Sequence, residues 1–211
     1  MNRHRNALYV LLGSVLAVFI SIQPARAQHL KQNIKGSLEH DVYISQLGDF
    51  HVQVPVHPET GGAVRDEYGK RGDMEMEQVI FTDDFGGFYR IISLKSSMSI
   101  DQVMNTFGNV REKRTLQTER GRELRVINVE KNGSEISVTS FKPGEPAQTT
   151  RPDLVTANLV FEKHGRIYHL AAGAVVLGDH RPEDMFDRAR KSLDALLQKF
   201  ELVELENKTS K

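Results

Sequence analysis

The sequence predicts an α+β fold in which an antiparallel β-sheet, built from hairpins, is covered by helices. Segments with alternating polar and apolar residues occur in pairs across short turns rich in glycine. Two segments have helical periodicity, and they do not alternate strictly with the strands as in a parallel sheet. The elements below are taken in chain order.

Residues 1–27 have the pattern of a Sec signal peptide. Arg3 and Arg5 precede an apolar run of 16 residues, from Ala7 to Ile22, and Ala25-Arg26-Ala27 follows. The run is shorter than the roughly 18 to 20 residues that span a bilayer comfortably. We therefore expect cleavage after Ala27 and a periplasmic or secreted mature protein. An uncleaved N-terminal anchor, which would tether an envelope protein to the membrane, is the alternative.

The remaining sequence predicts one domain without disulfides. The chain has no cysteine, which excludes disulfides, lipid attachment at the cleavage site, thiol catalysis and iron–sulfur clusters. Removal of residues 1–27 leaves 211 − 27 = 184 residues, enough for one core. The predicted organisation is a flexible leader over 28–40, a single globular α+β domain over 41–203, and a charged tail over 204–211.

The charge balance argues against a nucleic-acid partner. The whole chain has 28 basic and 28 acidic residues, and the predicted signal peptide holds Arg3, Arg5 and Arg26 but no acid. The mature chain therefore has 28 − 3 = 25 basic and 28 acidic residues, a net charge of −3. Nucleic-acid-binding domains normally carry a basic surface.

Alternating or continuously apolar segments bounded by turn residues predict eight strands. They are residues 42–47, 50–55, 74–82, 88–95, 123–131, 135–142, 154–163 and 166–177. The predicted hairpin turns contain Gly48-Asp49, residues 83–87, Asn132-Gly133 and His164-Gly165. Residues 57–73 hold one proline and four glycines among scattered charges, which predicts a long loop.

Two helices complete the prediction. Ser99 can cap a short helix that runs to Phe107 and ends at Gly108. The second helix begins at Pro182, and its apolar residues recur at spacings of three and four, which predicts packing on the sheet. This apolar stripe comprises Met185, Phe186, Ala189, Leu193, Leu196, Leu197 and Phe200.

Two sequence motifs and the order of elements resemble a known family. Gly-Asp-Phe-x-Val-x-Val-Pro over residues 48–55 precedes an apolar strand pair and a short helix. The segment 158–170, Asn-Leu-Val-Phe-Glu-Lys-His-Gly-Arg-Ile-Tyr-His-Leu, then precedes the closing amphipathic helix. Over residues 43–200 this resembles the PsbP/Mog1-like α/β/α sandwich, including small exported bacterial proteins. The resemblance implies a non-catalytic accessory or binding domain and transfers no site residues.

One group of polar and aromatic side chains is the candidate ligand-binding site. Its members lie on two strands predicted to be neighbours, and they are Tyr89, Arg90, Arg166, Tyr168 and His169. Ordinary cross-strand pairs are the alternative interpretation of the same residues.

Catalytic and metal sites have weaker support in the sequence. Glu75 and Glu77 lie on one face of a predicted strand, a spacing of roughly 7 Å that a glycosidase could use. Such a pair is also typical of a solvated strand edge. The Gly-x-Ser-x-Gly motif of serine hydrolases is absent. His51, His57, His164, His169 and His180 do not have the spacing of a helical metal motif.

The sequence therefore favours a non-catalytic periplasmic accessory or binding domain, with an envelope protein or a small ligand as its partner. We expect no cofactor and no metal, no nucleic acid, and no membrane association after signal cleavage. An exported hydrolase with a noncanonical site and a membrane-tethered envelope protein are the alternatives.

Overall fold

Strands dominate the part of the chain that the computed structural model describes, which comprises residues 30–106, 113–117, 124–130, 138–140, 142–176, 178 and 182–203. The strands are β1 (Leu30–Asn33), β2 (Ser37–Glu39), β3 (Val42–Ile44), β4 (Phe50–Gln53), β5 (Gly62–Arg71), β6 (Met74–Thr82), β7 (Gly87–Lys95), β8 (Lys113–Gln117), β9 (Leu124–Glu130), β10 (Val138–Ser140), β11 (Gln148–Thr150), β12 (Leu154–Lys163), β13 (Arg166–Val175) and β14 (Phe200–Leu202). The helices are α1 (Ile100–Thr106) and α2 (Pro182–Lys199), and a short 3-10 turn spans Pro58–Thr60.

The largest element is an eight-stranded sheet with the order β1-β5-β6-β7-β13-β12-β9-β8. Strand β1 pairs with β5 in parallel, and every other neighbouring pair in this sheet is antiparallel. The long strands β12 and β13 are buried along most of their length because they lie inside the sheet with both faces covered.

A second, four-stranded sheet has the order β14-β4-β3-β2, and β10 and β11 form a separate two-stranded ribbon. Helix α2 runs directly into β14, whose residues pair with β4. The end of the described chain therefore completes a sheet whose other three strands come from its beginning.

The main core lies on one face of the eight-stranded sheet. Successive residues of a strand point to opposite faces, so Val79 and Phe81 of β6 share this face with Leu170 of β13. Helix α2 and the small sheet cover this face side by side. Their buried contributions include Phe186, Ala189, Leu193 and Leu196 from the helix and Tyr43, Phe50 and Val52 from the small sheet.

A smaller core lies on the opposite face. Val103 of α1 packs there with Ile92 and Leu94 of β7, Val160 of β12 and Ile167 of β13. Among the described residues, no helix combines the length and the apolar character needed to cross a membrane.

The predicted α+β class, a hairpin sheet covered by helices, is wrong, because the described structure is mainly β. A second sheet covers much of the face that was assigned to helices. The reason lies in two segments whose polarity concealed strands. Residues 57–73, predicted as a loop, contain the ten-residue strand β5, and residues 28–40, predicted as a flexible leader, contain β1 and β2.

Three predicted hairpins are present, namely β3–β4, β6–β7 and β12–β13. The predicted hairpin between residues 123–131 and 135–142 is not seen, because β9 pairs with β8 and β12 while β10 pairs with β11. Helix α2 starts at Pro182 as predicted. The predicted signal peptide, the charged tail, the Asn132-Gly133 turn and the Phe107-Gly108 helix end lie outside the described residues.

Candidate functional site

The five predicted site residues divide between the two faces of the large sheet. Tyr89, Arg166 and Tyr168 point toward the main core, and the Tyr89 hydroxyl reaches Ser192 of α2. Arg90 and His169 lie on the opposite face, where the Arg90 guanidinium is 5.7 Å from the centre of the Phe88 ring. Adjacent strand residues cannot share a face, so the five residues do not form one site. Arg166 and Tyr168 both contact Asp49 on one face, whereas Arg90 and His169 interact on the other.

Arg166 is the centre of a buried polar cluster, which we call the Arg166 cluster: Asp49, Glu75, Ser93, Arg166 and Tyr168. Arg166 Nε lies 3.1 Å from Asp49 Oδ2, and its Nη1 donates to Glu75 Oε2 at 2.8 Å. Asp49 lies in the turn between β3 and β4, whereas Glu75 is the second residue of β6. The guanidinium therefore ties the small sheet to the large one, with 7% of Arg166 and 1% of Asp49 exposed.

The Ser93 hydroxyl occupies the middle of the cluster. It accepts a hydrogen bond from Arg166 Nε at 2.8 Å and donates one to Asp49 Oδ2. Tyr168 donates to the same Asp49 oxygen at 3.3 Å. A nucleophilic serine needs a free hydroxyl facing a substrate, whereas this one is fully buried and bonded in both directions. The cluster is therefore a structural ion-pair network.

A second buried network, the Glu77 lock, lies next to it and consists of Tyr43, Asp66 and Glu77. Glu77 accepts hydrogen bonds from the backbone N–H groups of Gln46 at 2.6 Å and Leu47 at 3.0 Å. The Tyr43 hydroxyl lies 3.0 Å from Glu77 Oε1 and 2.8 Å from Asp66 Oδ2. The side chains of β5 and β6 thus hold the β3–β4 turn on the large sheet.

Burial shifts the pKa values of Glu77, Tyr43 and Tyr168. Desolvation raises the pKa of Glu77 above its usual range, although the backbone N–H groups of Gln46 and Leu47 oppose the shift. Desolvation also raises the pKa of Tyr43, so its phenol stays protonated. The pKa of Tyr168 rises to about 12 for the same reason, helped by the nearby Asp49 carboxylate. Both tyrosines therefore act as hydrogen-bond donors at neutral pH.

His169 belongs to a third polar group, on the opposite face of the sheet. Its Nε2 lies 2.8 Å from Asn158 Oδ1, and the Asn158 amide nitrogen donates to Thr156 Oγ1 at 3.1 Å. Desolvation lowers the pKa of His169 to about 3, and the positive charge of Arg90 adds to the effect. At neutral pH the His169 imidazole is therefore uncharged, and its role in this buried network is structural.

Glu75 and Glu77 share a face of β6, as predicted, but they do not share a pocket. The Arg166 hydrogen bond lowers the pKa of Glu75, whereas Glu77 is enclosed by the β3–β4 turn. Two carboxylates of a glycosidase must flank a bound sugar, and this pair instead holds separate protein partners. In the described ranges no group of three or more His, Asp or Glu residues has a geometry that could hold a metal ion.

The turn between β6 and β7 presents the most exposed large apolar side chain of the described residues. Phe85 is 68% exposed, and the next, Met74, is 43% exposed at the other end of β6. Asp83 organises the turn, because its Oδ1 accepts hydrogen bonds from the N–H groups of Phe85, at 2.9 Å, and Gly87. The Asp83 N–H also donates to the Gly87 carbonyl at 3.0 Å.

A neighbouring turn supports this one from the side. The 3-10 turn over Pro58–Thr60 ends at Gly61, where an added methyl group would strike the Asp84 carboxylate. The Gly86 backbone, with φ of 81°, sits against the Val175 side chain. Phe85 is therefore exposed on a fixed support, which distinguishes it from a side chain on a loose loop.

Sequence reasoning missed several of these residues. Glu77 could have been found, because it falls in register with the apolar residues Val79 and Phe81 on one face of β6. Asp49 gave no signal, since a Gly-Asp turn predicts a solvated carboxylate. Ser93 gives no signal either, because a serine in a strand usually faces solvent or a neighbouring side chain.

Comparison of the chain with known proteins gives no match to a family model, a curated protein or a solved structure. The resemblance to PsbP/Mog1-like proteins therefore stays a prediction.

Proposed function

We propose that this protein is an exported, non-catalytic binding domain that binds a protein partner through the turn between β6 and β7, residues 83–86, which we call the Phe85 turn. The observation that carries the proposal is Phe85 itself, which is 68% exposed on a backbone fixed by Asp83. Burying a phenylalanine side chain is worth about 1.5 to 3 kcal/mol. An aromatic side chain held rigidly in water can contribute that energy to an interface at low entropic cost.

The chemistry of the interior supports binding over catalysis. A hydrolase needs a titratable group of shifted pKa in a pocket that substrate can enter. Glu77, whose pKa is raised, is 0% exposed, and His169, whose pKa is lowered, is 3% exposed. Each has protein partners within hydrogen-bonding distance. Their pKa shifts are thus explained by burial in the folded structure.

The compartment follows from the N-terminal pattern described above. We propose that the mature chain begins at Gln28 and acts in the periplasm or outside the cell, where an envelope protein is the expected partner.

Photo-crosslinking in intact source cells tests the proposal. The full chain carries p-benzoylphenylalanine in place of Phe85, and the matched control carries it in place of Met74, at the opposite end of β6. We expect one discrete protein adduct from position 85 and none of that mass from position 74. Sequencing the N-terminus of the same product should give Gln28.

Two results would count against the proposal. Equal labelling from both positions would show that the exposed probe reacts without a specific site. Normal export with no adduct at position 85, under conditions that trap a known envelope complex, would remove the protein partner from this turn.

A further inference from the structure

Half of β5 has an outer edge with which no strand of the described chain pairs. Strand β1 covers β5 from Gly62 to Arg65, with Asn33 opposite Arg65, while β6 pairs with the other side as far as Arg71. The chain then turns away from β5, because the backbone N–H groups of Lys35 and Gly36 donate to the Asp66 carboxylate. Within the described part of the chain, no strand pairs with residues 67–71 along this edge.

Gly69 lies in the middle of this edge, and the single chain does not require glycine there. Its φ is outside the left-handed region, and an added Cβ would meet no atom within 4 Å. Glycine inside a strand weakens the strand, and it often marks a place where another backbone approaches closely. On the axis of a symmetric strand pair Gly69 would face its own copy with no side chain on either strand, so the two backbones can approach closely there.

The charges along the edge are self-complementary. When two copies of a strand pair antiparallel about a two-fold axis, both copies keep the same face of the sheet upward. Each residue then lies opposite a residue of the other copy whose number differs from its own by an even number. With Gly69 on the axis, Glu67 of each copy faces Arg71 of the other, and Tyr68 faces Lys70. Opposite charges directly across two strands stabilise the pair.

The adjacent register is disfavoured. With Tyr68 on the axis, Asp66 would face Lys70, but the Asp66 carboxylate already accepts hydrogen bonds from Lys35, Gly36 and Tyr43. The same register would place Arg65 opposite Arg71, a repulsive pair. Among the described residues, the Glu67 carboxylate has one side-chain partner, Gln78 at 3.0 Å, which leaves its other oxygen for an arginine.

We infer that a second copy of this chain binds the outer edge of β5 over residues 67–71, with Gly69 on the two-fold axis. The contact joins the two large sheets into one continuous sheet. It is short, so it produces a concentration-dependent equilibrium between monomer and dimer. It does not involve Phe85, and the two proposals can fail separately.

Sedimentation velocity of the mature chain at increasing concentration and salt tests the inference. Arg71→Glu places four acidic side chains at the contact and should weaken dimerisation about tenfold or more. Glu67→Arg should weaken it similarly, and the double variant Glu67→Arg/Arg71→Glu should restore it. Arg65→Glu is the matched control, because it makes the same charge change on an edge that β1 already covers.

The contact and its register are supported if the double variant regains dimerisation and if Arg65→Glu dimerises as strongly as the natural protein. Added sodium chloride should weaken the natural dimer, because the charged pairs are exposed to solvent. A chain that stays monomeric up to roughly millimolar concentration overturns the inference. A dimer that Arg71→Glu leaves intact, or that Arg65→Glu weakens equally, overturns it as well.

Discussion

Arg166 shows how one side chain can hold two sheets together. Its guanidinium lies between Asp49 of the small sheet and Glu75 of the large one, and both Arg166 and Asp49 are almost completely buried. Removing one partner of a buried ion pair leaves a charge without compensation, which costs far more than the pair contributes as a whole.

We expect Arg166→Ala to lower the free energy of unfolding by about 3 to 5 kcal/mol. The matched control is Arg190→Ala, which removes a surface pair with Asp187 on α2 at 3.1 Å and should cost about 0.5 kcal/mol or less. Urea unfolding at neutral pH measures both. Equal losses for the two variants would contradict the role given to Arg166.

Glu77 gives a prediction about pH. Its pKa is raised in the folded protein, so the folded state binds the proton more tightly than the unfolded state does. The stability gained from this proton is fully present below the pKa that Glu77 has in the unfolded chain. It is lost as pH rises through the pKa that Glu77 has in the folded protein. The natural protein should therefore gain stability relative to Glu77→Gln as pH falls from neutral toward 4.5, the ordinary pKa of a glutamate.

Glu77→Gln should also cost about 1 to 3 kcal/mol at neutral pH, because an amide nitrogen cannot accept the hydrogen bond from Leu47 N–H. Glu67→Gln is a suitable control, since Glu67 is exposed on β5. Unfolding free energies of the three proteins across the pH range would show the effect. A stability difference between the natural protein and Glu77→Gln that is the same at every pH would contradict it.

Among the elements, β5 depends on one glycine at its start. Gly62 has φ of 140°, and an added Cβ would collide with the Thr82 carbonyl of β6. A side chain there must strain the backbone and separate the two strands.

We expect Gly62→Ala to destabilise the protein by about 1 to 3 kcal/mol. Gly69→Ala, in the same strand, should change stability by less than about 1 kcal/mol in dilute solution, because its added methyl group meets nothing. Thermal unfolding at matched low concentration distinguishes the two. A Gly62→Ala variant as stable as Gly69→Ala would show that the β5–β6 junction adapts without cost.

The elements that the sequence predicted well are those with strong local patterns. Strands β6, β7, β12 and β13 alternate or are continuously apolar, and α2 has a clear apolar stripe. Strand β5 was missed because its outer half is charged and contains glycine, the composition of an edge strand rather than of an interior one. The Arg166 cluster was missed because its partners are distant in sequence and meet only through the pairing of two sheets.

At the scale of the whole molecule, α2 and the small sheet share one face of the large sheet, and Phe200 lies where they join. Its ring centre is 5.6 Å from that of Phe50 and 6.2 Å from that of Tyr168. The β14 backbone pairs with β4 through Phe200–Val52 and Leu202–Phe50.

Truncation after Lys199 should therefore cost at least about 3 kcal/mol, because it removes a packed aromatic side chain and the pairing of β4. Truncation after Val203, which removes the predicted charged tail, is the control and should leave stability unchanged. Circular dichroism with urea unfolding compares the two. A fully stable truncation after Lys199 would show that β14 is dispensable.

The placement of β14 has a consequence for the order in which the chain is made. Its partner β4 is synthesised near the start, more than a hundred residues earlier, and the small sheet stays incomplete until residues 200–202 emerge from the ribosome. A nascent chain therefore cannot complete the small sheet before residues 200–202 have been synthesised. For the exported chain proposed above, which would cross the membrane through a narrow channel, this late closure keeps the small sheet open until residues 200–202 have been synthesised.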